Sequence, residues 1–280
     1  MNFGPDPRQQ LSWDWRAAGN FICGGAGAGL LVFTVLSSAA GAPRAALLLG
    51  GLALIGLGLF FVWLEIGRPL RALHVFFNPR TSWMSREAFT AAVLFPTGLA
   101  AAVGVPGAEW AVAALALVFV YCQGRMLQAS KGIPAWREPL LVPLIVATGL
   151  AEGGGWFAFA HAWSGAGSGA LWIGFGVALP ARALLWWMWR QRVAQRAAPR
   201  ALAAIDAAGK VLLLLGTAVP LAVLAWVLVA PPGAAADAVL AAAGLFAVAT
   251  GAWFKFELLG RASFNQGFAL AHLPVRGVRR

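Results

Sequence analysis

Residues 45–64 read AALLLGGLALIGLGLFFVWL, a stretch without a charge, an amide or a hydroxyl. A helix of that length rises about 30 Å, the thickness of a hydrocarbon core. Similar runs recur along the chain. In lipid, only helices and closed barrels satisfy all of their own backbone groups. A barrel would alternate in segments of about ten residues, and that alternation is absent. The expected fold class is therefore all-α, a polytopic transmembrane helical bundle. Composition agrees: 60% of the 280 residues are hydrophobic and 11% charged, whereas a soluble domain is about a quarter charged.

About eight spans are expected, near 17–39, 45–65, 88–105, 109–128, 138–162, 168–190, 209–230 and 236–257. They divide the chain into an N-terminal arm (1–16), a bundle (17–257) with a central loop (66–87), and a C-terminal tail (258–280). With eight spans, the 21 lysines and arginines all fall on one side except Arg44, opposite, and Arg182, inside a span. The positive-inside rule then puts both termini in the cytoplasm. The formal charge of +11 reflects that bias, since no soluble basic domain is present to grip a nucleic acid. The loops on the other side are short, so ligands outside the membrane are expected to approach from the cytoplasm. The polar start, MNFGPDPRQQLSWDW, lacks the basic-then-apolar layout of a cleaved leader.

Several motifs carry less than they suggest. The GGAGAG run at 24–29 has neither a preceding strand nor a following Lys-Ser or Lys-Thr, so a phosphate loop is not expected. Small residues there suit close helix contact in lipid. Cys23 and Cys122 are far apart and supply no ligand set for an iron–sulfur cluster or other metal. Only His161 of the three histidines falls in a span, so a haem held by two histidines is not expected. The densest chemistry lies in the central stretch EIGRPLRALHVFFNPRTSWMSRE, Glu65 to Glu87, with Arg68, Arg71, Arg80, Arg86 and His74. Leu70, Leu73 and Phe77 are spaced to share one face of a short interfacial helix.

That stretch resembles a known family. Gly67-Arg68-Pro69-Leu70-Arg71-Ala72-Leu73 and Thr81-Ser82-Trp83-Met84-Ser85-Arg86-Glu87, with Gln123-Gly124-Arg125-Met126-Leu127 and Ile133-Pro134-Ala135-Trp136, are similar to membrane-anchor subunits of molybdopterin oxidoreductases of the dimethyl sulfoxide reductase and polysulfide reductase type. The ends, Ser12-Trp13-Asp14-Trp15-Arg16-Ala17-Ala18-Gly19-Asn20-Phe21 and Phe264-Asn265-Gln266-Gly267-Phe268-Ala269-Leu270 with His272-Leu273-Pro274-Val275-Arg276-Gly277, look most like the phenylacetyl-CoA:acceptor oxidoreductase anchors. The resemblance implies a multi-pass subunit in the cytoplasmic membrane of a bacterium or archaeon. Its partners would be an iron–sulfur subunit carrying the clusters and a catalytic subunit carrying molybdopterin, both on the cytoplasmic side. Its own ligand would be ubiquinone or menaquinone, with no haem or iron–sulfur cluster in this chain.

Quinone reduction takes two electrons and two protons, so the site needs hydrogen-bond donors, a proton route and an apolar pocket. Glu87 is the first candidate for proton transfer, placed at the opening of helix 3 where the macrodipole favours a carboxylate. Its ordinary role would be a helix-start residue. Glu65 is the second; its ordinary role is a salt bridge to Arg68 or Arg86. Many anchors of the dimethyl sulfoxide reductase type have a histidine near that position, so its role does not carry over directly. His74, Asn20, Tyr121 and Arg86 are candidate quinone contacts. Arg68, Arg71 and Arg125 are candidate docking residues for the partner subunits. Glu152 and Arg182 are intramembrane charges, read as a buried pair or a proton path. A purely structural anchor and a transporter remain the alternatives.

Overall fold

A computed structural model of the chain describes residues 6–37, 39–66, 69–165 and 169–267. The elements in order are α1 (Trp15–Leu36), α2 (Gly41–Glu65), a 3-10 helix (Pro69–Phe77), α3 (Trp83–Ala102), α4 (Ala108–Ala129), α5 (Pro134–Arg137), α6 (Leu141–Ser164), α7 (Gly169–Val193), α8 (Pro199–Leu213), a π turn (Leu214–Ala218), α9 (Val219–Val227) and α10 (Ala234–Leu259). Among the described residues there is no strand, only one antiparallel bridge between Gln9 and Phe264. Among the described residues, seven helices are long and apolar enough to cross a membrane: α1, α2, α4, α6, α7, the continuous rod from Pro199 to Val227, and α10. The chain is a multi-pass helical bundle.

The centre of the bundle is α1, which packs on α2, α4, α6 and α10. Its glycines make this possible. A Cβ on Gly153 of α6 would overlap the backbone of Gly29, and one on Gly27 would lie 2.6 Å from the Gly51 carbonyl of α2. Bare backbones thus touch at both contacts, which is how dispersion and close approach hold helices together in lipid.

Two apolar clusters fill the bundle. One includes Phe21, Phe119, Trp136, Trp189 and Phe254. The other includes Phe33, Phe157, Phe175 and Leu240. The buried charges interrupt these clusters: Glu152 follows Ala151 of the second, Lys255 follows Phe254 of the first, and Arg182 falls between Leu179 of the second and Trp186 of the first.

The segments on either side of the bundle, residues 8–10 and 259–265, are clasped together. Gln10 N–H donates to Ser263 O at 2.9 Å, Asn265 N–H to Arg8 O at 2.9 Å, and the Gln10 amide to Leu259 O at 3.0 Å. Trp136 Nε1 donates to Leu258 O at 3.0 Å and stacks on Trp13 at 5.1 Å. The segment before α1, α5 and α10 meet at this end around the Trp136 indole, which is buried with its N–H supplied, as a buried tryptophan requires.

Two helix starts differ from the sequence expectation. α3 begins at Trp83, not near 88, because the Ser82 side chain caps it by accepting from Ser85 N–H at 3.2 Å. α8 begins at Pro199, about ten residues before the expected span. Proline fits the first turn of a helix, and Ala201, Ile205, Ala208 and Leu212 bury one face of it.

Candidate functional site

Glu87 sits in the second turn of α3, with no acid in the first. The macrodipole is therefore not what holds it, contrary to the sequence expectation. The residue is 3% exposed, and its Oε1 accepts from Asn20 Nδ2 at 3.2 Å. Gln123 of α4 faces it as well and donates to the Asn20 carbonyl at 3.0 Å. Asn20 Oδ1 and Gln123 Oε1 are buried acceptors with no donor. A carboxylate is thus held between α1, α3 and α4 by amides, with acceptor capacity left over for a ligand, water or a proton.

Beside it lies a cavity of about 780 Å³ between the second half of α2, the 3-10 helix and the start of α3. Leu59, Phe60, Trp63 and Phe76 give it apolar walls, and Ser85, Glu87 and His74 supply polar groups. Its size falls within the range of small-molecule sites, about 300–1,000 Å³. The 3-10 helix is pinned to α3 by Phe76 against Phe89, edge to face at 5.0 Å. Leu73 and Phe77 point outward and are largely exposed, the arrangement of an element lying in a membrane interface.

His74 is exposed. Its Nδ1 lies 3.1 Å from Arg71 O, and its ring meets Phe77 at 5.1 Å. Arg71 also lines the cavity. Glu65 lies at the end of α2, lining a second, smaller cavity with Asn20 and Glu87. It makes no salt bridge to Arg86, one of the two partners considered from the sequence; the other, Arg68, is outside the described residues. Arg86 instead donates to Pro79 O at 2.9 Å and Arg80 O at 2.8 Å, tying the loop back onto α3. Arg68 lies outside the described residues, as do Gly67 and the tail motif from Phe268 onward.

Tyr121, Arg86 and Arg125 gather elsewhere, around Trp83. The two guanidinium carbons lie 4.0 and 4.4 Å from its ring centre, and Arg125 donates to Tyr121 Oη at 2.9 Å. These cation–π contacts join α3 to α4 near Glu87. They use the arginines for packing, and the three side chains line neither cavity.

Deeper in the bundle, Glu152 does not pair with Arg182. Its partner is Lys255, whose Nζ lies 2.6 Å from Glu152 Oε2 and donates to Phe21 O at 2.9 Å. Both side chains are fully buried. The sequence places Lys255 with the cytoplasmic tail cations, two residues from the expected end of the last span. In the fold α10 continues to Leu259, and the ammonium turns inward. Gly25 makes room for it, since a Cβ there would overlap Lys255 Nζ and lie 3.6 Å from Gln123 Oε1. Arg182 instead donates to Gly216 O, to Ala247 O at 3.2 Å and to Thr217 Oγ1 at 3.3 Å. Gly216 and Thr217 belong to the π turn, where the helix ladder shifts and frees carbonyls.

Sequence reasoning noted Gln123 only as part of a motif and left out Glu138. Glu138 is buried and is approached by Arg192 at 3.3 Å and Arg196 at 4.0 Å. Gln123 carried the signal of a polar residue between Cys122 and Gly124 in an apolar span, whereas Glu138, beside Arg137, reads as part of a charged helix end. No protein-family model matches the chain, and no curated protein matches it.

Proposed function

We propose that this chain is the membrane-anchor subunit of a molybdenum and iron–sulfur oxidoreductase and exchanges electrons with membrane quinone beside Glu87. The observation that carries this is the large apolar cavity with one buried, amide-held carboxylate on its wall. An isoprenoid quinone needs a greasy slot for ring and tail and a few polar groups at its carbonyl ends. Phe60, Trp63 and Phe76 supply the first, and Glu87, Ser85 and His74 the second. The orphaned Asn20 and Gln123 oxygens suit a site through which protons pass. Bound quinone would supply the two-electron acceptor, and the chain's residues would orient it and hold or deliver protons.

In this reading α3 is the eighth crossing and both termini face the cytoplasm. The iron–sulfur and molybdopterin subunits dock on that face, with Arg71 and the cations beyond α7 at the surface. The ends of the chain favour phenylacetyl-CoA oxidation in the catalytic partner, with electrons running to quinone.

The test is titration of a fluorescent quinone analogue into membranes holding the whole complex, wild type against Glu87→Gln. A hydrogen bond to a charged or ionisable group is worth about 1.5–3 kcal/mol. Affinity should therefore fall by about one to two orders of magnitude in the variant. Unchanged affinity moves the site away from Glu87, and no binding to wild type leaves a structural anchor.

A further inference from the structure

Two cavities meet at Glu87. Val62, Ile66, Met84 and Glu87 line both the large apolar one and a smaller one of about 150 Å³. These four side chains form the partition. Glu65, Asn20 and Glu87 all line the smaller chamber, among apolar neighbours that include Trp13, Phe21 and Met126. Its volume is well above the roughly 15 Å³ of probe-occupied space that one water needs. The Asn20 oxygen, buried and without a donor, and two carboxyl groups give water the two to four polar partners it requires. Glu65 stands at its outer end, half-buried, beside Asp14 and Arg16, and Arg16 Nη1 is held on Leu64 O at 2.9 Å.

We infer that the small chamber is a hydrated proton inlet running from Glu65 to Glu87, separate from the apolar cavity on the other side of the partition. This rests on the quinone assignment for its purpose, though not for its geometry. Glu65 takes a proton from solvent and releases it to a chamber water. That water passes one of its protons to the Glu87 carboxylate. Glu87 then gives the proton across the partition to a quinone oxygen, as electrons arrive from a reduced iron–sulfur centre in the partner subunit. No carboxyl group is consumed, and each returns to its starting form.

The surroundings fit a relay. Around Glu87 stand Asn20 from α1, and Gln123 and the Cys122 thiol from α4. Arg86 on its own helix is engaged by Pro79 and Arg80 carbonyls. Around Glu65 the charged groups are Asp14 and Arg16. Among the described residues neither Glu65 nor Glu87 is locked in an ion pair, so both are free to change protonation.

The test uses the full chain in lipid nanodiscs and a pH jump. The infrared bands of the Glu87 carboxyl and carboxylate, isolated by difference against Glu87→Gln, report how fast Glu87 gains or loses its proton. Glu65→Gln should slow that rate at least tenfold, and Glu65→Asp should restore most of it. Ala17→Leu, which fills the chamber, should slow it too. Decylubiquinone affinity should stay within twofold in all three. A Glu87 rate as fast as wild type in Glu65→Gln overturns the inlet, and so does an equal slowing in Glu65→Asp and Glu65→Gln. If Ala17→Leu does not fold, the two Glu65 variants decide alone. Failure of decylubiquinone to bind wild type would sink the quinone assignment, and the proton-exchange rates would still judge the inlet.

Discussion

Lys255 carries its ammonium into the interior at 0% exposure, and one carboxylate, Glu152, meets it. Removing one partner of such a pair strands a buried charge, at a cost of about 3–5 kcal/mol. Lys255→Met should therefore destabilise the bundle by about that much in chemical unfolding from micelles. The double variant Lys255→Met, Glu152→Met should recover most of the loss, because it removes the charge as well as the contact. At the surface, Asp14 caps α1 by accepting from Arg16 N–H at 2.8 Å. The Arg16 side chain bonded to it holds its carboxyl below the usual carboxylate range. A carboxyl lowered in the folded state stabilises fully above its ordinary value, near 3.8, and loses that contribution as pH falls through the lowered one. Asp14→Asn keeps a good cap and Asp14→Ala removes it. At neutral pH the alanine variant should be less stable by about 1 kcal/mol, with asparagine nearer to wild type. Both differences should shrink in acid, as read by thermal unfolding over a pH series. Individual charges were the least legible part of the sequence. Glu152 and Arg182 were recognisable as costly intramembrane groups, but their partners depend on helix rotation and on where α10 ends.

Helices were largely legible, because an apolar run long enough to cross lipid has few alternatives. The misplaced starts share one physical cause: where a helix leaves the apolar layer, hydropathy falls before helicity does. α8 keeps a buried stripe at Ala201, Ile205, Ala208 and Leu212 while Arg200, Asp206 and Lys210 occupy its other positions. Asp206 is paired with Arg190 of α7 at 2.6 Å. α3 starts at a serine cap in a stretch that also holds Arg86 and Glu87, which disguised its first turn. The break after α8 was hidden for the opposite reason, since a π turn leaves no mark on an uninterrupted apolar run. The glycines of α1 were recognisable as packing residues, though not their counterparts on α2 and α6. Gly153→Val should prove the contact. Its Cβ would overlap Gly29, and overpacking of this kind costs about 1–3 kcal/mol. A matching fall in thermal stability is expected, with Gly132→Ala, where a Cβ meets nothing within 4 Å, as the neutral control.

At the scale of the molecule, the layout was readable as a bundle with one chemically dense end. The residues from Glu65 to Glu87 were singled out by their density of charge, and Asn20 joins Glu87 through a direct bond. The cavities themselves were not readable. The larger arises where the 3-10 helix stands off from α2 and α3, and the smaller between α1, the end of α2, α3 and α4, a matter of tertiary spacing that no local pattern encodes. Tyr121 and Arg86, expected from the sequence as quinone contacts, are engaged with Trp83 and the loop carbonyls.

The clasp between α1 and α10 has a consequence for how the chain is made. A ribosome releases the first helix long before the last one exists. Yet Phe21 O of α1 waits for Lys255, the Gln10 amide for Leu259, and the arm around Gln9 for Phe264. Until α10 is inserted, Glu152 has no cation within ion-pair distance among the described residues. The earliest helix is thus the latest to reach its final neighbours. A nascent chain halted before Lys255 would hold a membrane-embedded acid without its base, a defect that membrane quality control is well placed to recognise.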